Sequence, residues 1–156
     1  LWASAHISDV ARAFVNVLGN AAAVGEAYHV TGAEWMTWNQ YHATVARVLG
    51  GRYHPIYIPA GDLYAMAHDR AALAFDTLQW PGIFENGKAR ADLGYEYRIT
   101  WEDGVRRTVR WLEDHGGIAC AGDDPLTDRL IAAWELGRDA ARAALHDALL
   151  ETGTTE

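Results

Sequence analysis

The sequence predicts an α/β chain: strand and helix units like those of a doubly wound sheet, a small mixed α/β segment and a long C-terminal helix. Three observations lead there. Short extended runs alternate with helical stretches over residues 1–49. Two helix signals joined by a short extended link occupy residues 84–111. Small and apolar residues then recur at helical spacing from residue 125 to about 151.

The elements follow in order. Residues 1–5 are short and apolar and read as the end of a strand. Ser8 or Asp9 can cap a helix over residues 10–18, with Val10, Phe14, Val17 and Leu18 on its buried side and Gly19-Asn20 as its stop. Residues 27–30 read as a second strand, turned at Thr31-Gly32. Thr37 with Gln40 makes a capping box for a helix to Leu49 that buries Tyr41, Val45, Val48 and Leu49. Gly50-Gly51 ends it. Residues 53–58 alternate as a strand does, and Pro55 places that strand at a sheet edge. Asp62 can cap a helix to about His68, and residues 69–82 carry no decisive pattern.

Asn86 can cap a short helix over residues 88–93, stopped by Gly94. Residues 95–99 read as extended. Thr100 followed by Asp103 opens the next helix, with Trp101, Val105, Val109 and Leu112 on one face and Gly116-Gly117 at its end. Asp124 with Pro125 at the first helical position starts the last helix, whose length is roughly 40 Å at 1.5 Å per residue. Ala133, Gly137, Ala140 and Ala144 form a stripe on it that suits close packing, either within the chain or between two copies.

Composition narrows the function. A formal charge of −8 and no basic patch disfavour nucleic acid and anionic membranes as partners. Cys120 is alone, which excludes a disulfide framework and fits a reducing compartment; the expected location is cytoplasmic. No apolar run approaches the ~20 residues that span a bilayer. The seven histidines show neither HxxxH nor HxH spacing, so no metal site is expected. No G-x-S-x-G occurs, so a hydrolase elbow has no support.

Several motifs resemble, in order, the C-terminal part of NAD(P)-dependent epimerases/dehydratases, the extended and atypical short-chain dehydrogenase/reductases. Residues 6–13, HISDVARA, are similar to that family's H-V-x-D-V-A-x-A. Gly25, Glu26, Tyr28, Val30, Thr31 and Gly32 resemble G-E-x-Y-N-V-[ST]-G, with His29 at the Asn position. Thr37-Trp38-Asn39-Gln40-Tyr41 resembles the helix start of one atypical branch, and Ile56, Ile58 and Pro59 fit its h-x-h-P strand. Phe84, Asn86, Lys88, Ala89, Arg90, Leu93 and Gly94 follow, and then Glu102, Asp103, Gly104, Val105, Arg106, Thr108, Val109 and Trp111. The resemblance covers about residues 4–115.

The resemblance implies a Rossmann-like fragment with three parts: terminal strand–helix units at 1–52, a substrate-binding lobe at 53–116 and a helical extension at 117–156. It implies a parent oxidoreductase that uses NAD or NADP and acts on a nucleotide sugar or a related hydroxyl or carbonyl substrate. The family's glycine-rich cofactor turn is absent here, as is its Tyr-x-x-x-Lys pair, since the one lysine, Lys88, follows Phe84 at that spacing. The chain also opens at Leu1 without Met. It is therefore expected to be the back half of such a protein, inactive and cofactor-free alone, with the missing N-terminal Rossmann half as partner. A homodimer through the last helix is the further partner expected.

Candidate substrate-binding residues are His6, Asp9, Trp80, Phe84, Asn86 and Lys88. His6 and Asp9 sit three apart at a strand-to-helix junction, where ligands of such folds bind; the plainer reading is a cap and an orienting hydrogen bond. Lys88 can reach an anionic group or pair with Glu85 or Asp92. Trp35, Trp80 and Phe84 can stack on a sugar or base, or fill a core. A different class of function stays open, a non-catalytic binding domain derived from the same fold.

Overall fold

The computed structural model describes residues 1–118, 122 and 124–152. Among these residues seven α-helices carry the fold: α1 (Ile7–Val17), α2 (Trp38–Val48), α3 (Ala60–Met66), α4 (His68–Leu73), α5 (Gly87–Leu93), α6 (Trp101–Asp114) and α7 (Pro125–Thr152). The chain divides into two compact units. One comprises Leu1–Pro55 and Leu78–Ile118; the other comprises Ile56–Thr77 and the C-terminal segment.

The expected doubly wound sheet is not there. Among the described residues no strand forms, and the Rossmann-like α/β assignment is overturned in favour of a helical fold. A strand needs a neighbour whose backbone groups complete a ladder. Residues 1–5 come nearest: Trp2 exchanges backbone bonds with Met36 (2.8 and 3.0 Å), and on its other side Gly82 donates to Leu1. These stay isolated bridges. Residues 27–30 run beside residues 84–88, yet side chains take the place of a ladder. The Asn86 amide accepts from Thr31 N–H at 3.2 Å and donates to Thr31 C=O at 2.9 Å, as a neighbouring backbone would. Residues 53–58 contain Pro55 and are followed by Pro59, which lack the donor a ladder needs, and they form no strand.

Helix ends match local chemistry closely. Thr37 and Gln40 form the full capping box of α2. The Thr100 hydroxyl accepts from Asp103 N–H at 3.2 Å and opens α6. Gly94 ends α5 at φ 60°, the left-handed region that glycine occupies without strain. At α1, however, the cap is the His6 imidazole, which accepts from Ser8 N–H at 3.1 Å, in place of Ser8 or Asp9. At α3, Pro59 holds the cap position and Asp62 lies inside the first turn without capping. Residues 69–82, undecided in sequence, continue as α4 and a wide π turn at Ala74–Leu78.

In the first unit α1 packs on α5 and α2 on α6. The core is built from Ala13, Ala23, Ala89, Leu93 and Tyr95, with Tyr28 and Val30 against it. The small alanines let α1 and α5 approach, and Asn16 and Asn20 donate to the Leu93 and Asp92 carbonyls (2.8 Å each) that the end of α5 leaves open. The buried side of α1 is therefore Asp9 and Ala13, which reverses the sequence expectation: Phe14 and Leu18 are 70% and 79% exposed.

In the second unit α3 packs on α4, and Arg70 of α4 pairs with Asp124 at the head of α7. Met66 faces Ala133, Trp134 and Gly137 across an open apolar groove. The expected burial of the Ala133/Gly137/Ala140/Ala144 stripe does not hold within this chain; all four residues are exposed. No described helix is long and apolar enough to cross a membrane. Cys120 lies outside the described residues.

Candidate functional site: a cleft between α2 and α6

The expected site residues divide into structural ties and exposed groups. Asp9 is fully buried and accepts from the backbone N–H groups of Arg98 and Ile99, both at 3.0 Å, and from Arg12. It fastens α1 to the link before α6. His6 caps α1 and lies against Gly104, where a Cβ would stand 3.3 Å from the imidazole. Asp9 is thus a tie between distant segments and not the cap of the plainer reading, and His6 takes the cap position.

The segment around α5 is brought together with residues 26–31. Phe84 stacks on His29 at 4.8 Å. Asn86 is buried and spends its amide on Thr31. Lys88 pairs with Glu26, and its ammonium lies 4.8 Å above the Tyr28 ring. The pairing holds the Glu26 carboxyl below its usual range and raises the Lys88 ammonium. Lys88 thus meets Glu26 rather than the expected Glu85 or Asp92. Trp80 and Trp35 are both 64% exposed, so neither fills a core.

Sequence reasoning missed an open cleft of about 400 Å³, lined by Glu34, Trp35, Met36, Gln40, Thr44, Trp101 and Glu102. The capping box fixes Gln40, whose side-chain oxygen accepts from Thr37 N–H at 2.9 Å. Trp101 is stacked on Tyr41 with ring centres 3.8 Å apart and donates its indole N–H to the Tyr41 carbonyl. Glu102 is held by Arg47 at 2.9 Å and by Arg106, which keeps its carboxyl below the usual range. Glu34 accepts from the Tyr97 hydroxyl at 2.5 Å and from Trp101 N–H at 2.7 Å. Burial, with the Glu34 carboxylate next, pushes the Tyr97 phenol far above its ordinary range, so it remains a donor. The one signal in sequence was the aromatic run Trp35, Trp38 and Tyr41 around the capping box. Glu34 carried none, because its partners are 63 and 67 residues away.

A nicotinamide dinucleotide would need free backbone N–H groups at a helix start to hold its pyrophosphate. The starts of α1, α2 and α6 are closed by His6, by Thr37, and by Thr100 with Glu34. Those three starts do not offer such a group its donors.

Over 86 residues this chain is 27% identical to the 2'-dehydrokanamycin reductase of Streptomyces kanamyceticus; the match covers 55% of this chain and 24% of that protein. The likeness is a distant one to an oxidoreductase. No protein-family profile matches. No solved structure matches.

Proposed function

We propose that this chain is the substrate-binding portion of an NAD(P)-dependent epimerase/dehydratase-like oxidoreductase, and that the cleft between α2 and α6 holds the substrate. The observation that carries the proposal is the likeness to a reductase over 86 residues. The cleft suits a hydroxylated ring bearing a hydroxyl or carbonyl to be transformed, free or as part of a nucleotide sugar. Indole faces pack on the apolar face of a sugar ring, while Gln40, Thr44 and Glu34 offer hydrogen bonds to its hydroxyls.

The cofactor, NAD or NADP, belongs to a partner portion of the enzyme, in keeping with the capped starts of α1, α2 and α6. The exposed apolar face of α1, with Ile7, Phe14 and Leu18, supports such a partner: contiguous apolar residues at helical spacing mark an interaction surface. The chemistry of hydride exchange is supplied with that cofactor; this chain holds and orients the ring.

Saturation-transfer NMR with glucose and with UDP-glucose tests the proposal. Ring protons should receive saturation from the wild-type chain and lose most of it in Trp35→Ala. Transfer that survives unchanged in Trp35→Ala, or no transfer from either sugar, contradicts it.

A further inference from the structure

We infer that the cleft between α2 and α6 prefers a hydroxylated ring that carries an ammonium group, received by Glu34 beside the Trp35 and Trp101 rings. The inference rests on the substrate-binding reading above and narrows its substrate class.

Glu34 is unusual among the carboxylates lining the cleft. Glu102 has two arginines, Arg47 and Arg106. Glu34 has none: its donors are a phenol and a backbone N–H, both neutral, and it joins no ion pair among the described residues. Among the described residues both of its bonds go to one oxygen, Oε2. Oε1 is left to accept from a ligand. The positive end of α6 offsets part of the charge, as any helix start does, yet that end is shared with Glu102 and Asp103 in the first turn.

The surroundings favour a cation over a neutral donor. Trp35 is 64% exposed at the cleft, and Trp101 is fixed by its stack on Tyr41. Indole rings attract cations through their negative faces. A carboxylate and two indoles lining one small cleft therefore match a ring with an amine. The same charge repels a phosphate, so the phosphates of a nucleotide sugar would have to lie outside this cleft. Lys88, the lysine that the sequence suggested for an anionic group, is paired with Glu26.

The test compares glucosamine with glucose, two rings that differ by an amine in place of one hydroxyl. Amide-shift titrations use the full chain, Glu34→Gln and Trp35→Ala. Gln keeps an acceptor for Tyr97 and Trp101 and replaces the charge and the oxygen left for a ligand with a neutral amide; a wild-type-like amide spectrum checks that the variant is folded. The wild type should bind glucosamine about fivefold more tightly than glucose, the range that an exposed ion pair and a cation–π contact support. Glu34→Gln should bring the two sugars within about twofold of each other, chiefly by weakening glucosamine, and Trp35→Ala should weaken both. Equal affinities in the wild type, or a preference that survives Glu34→Gln, overturn the inference and leave the substrate reading intact if glucose still binds. Absence of binding by either sugar overturns both.

Discussion

Replacing Asp9 with Ala should be among the most damaging single changes in the first unit. The carboxylate is fully buried and satisfies Arg98 N–H, Ile99 N–H and the Arg12 side chain. Truncation leaves two backbone donors without a partner beneath α1, while Arg12, whose side chain is 40% exposed, can turn to solvent. A hydrogen bond to a charged group contributes about 1.5–3 kcal/mol, and breaking a buried charged network costs about 3–5. The expected loss is therefore about 3–4 kcal/mol, a large share of a typical stability of about 5–15. With a urea slope near 1.5 kcal/mol per molar, the midpoint should fall by about 2 M. Arg12→Ala should cost less, about 1 kcal/mol, because its charge is partly hydrated already. Urea unfolding followed by circular dichroism measures both, and hydrogen exchange should show the Arg98 and Ile99 amides losing protection. A loss below about 1 kcal/mol in Asp9→Ala would refute the reasoning, since the unpaired Ile99 donor is buried and alone costs about 1–3 kcal/mol.

Gly32→Ala should destabilise by about 1–3 kcal/mol in thermal or urea unfolding, because a Cβ there would stand 2.1 Å from the Ser4 carbonyl oxygen, a backbone atom that cannot step aside. Gly137→Leu should raise stability by about 0.8 kcal/mol through helix propensity, since nothing lies within 4 Å of a Cβ at that exposed position; a concentration-dependent loss would instead put the stripe in a homodimer. Alkaline pH should destabilise the fold. Tyr97 and Tyr95 have folded pKa values raised above 10.0 by burial, with the Glu34 carboxylate adding to the effect on Tyr97. The folded state keeps protons that the unfolded chain gives up, so their contribution is complete below about pH 10 and declines above it. Denaturation midpoints measured from pH 8 upward should fall past pH 10, and less steeply in Tyr97→Phe.

What was legible in the sequence was local. The Thr37/Gln40 box, the Thr100/Asp103 start, the Gly94 stop and the Asp124-Pro125 opening are settled by residues within a turn of one another, and each stands as read. What failed depends on distant partners. Apolar alternation in residues 53–58 describes a surface that a strand can use, but a strand forms only beside another backbone. The buried side of α1 was assigned to its largest apolar residues, whereas α5 approaches through Ala13 and Ala89 and leaves Phe14 and Leu18 outside. Asp9 looked like a cap or a cleft residue because its partners, 89 and 90 residues away, cannot be seen from its neighbours. The candidate site was half legible. Phe84, Asn86 and Lys88 do gather against residues 26–31, but they are largely occupied there, and the cleft around Glu34 exists only once α2 and α6 pack.

The most direct measurement is an amide-resolved NMR titration of the whole chain with glucosamine. Saturable shifts should concentrate at Glu34, Trp35, Gln40, Thr44 and Trp101, with the segment at Phe84–Lys88 little changed. Saturable shifts centred on Phe84 and His29, or no saturable shifts at all, would contradict it.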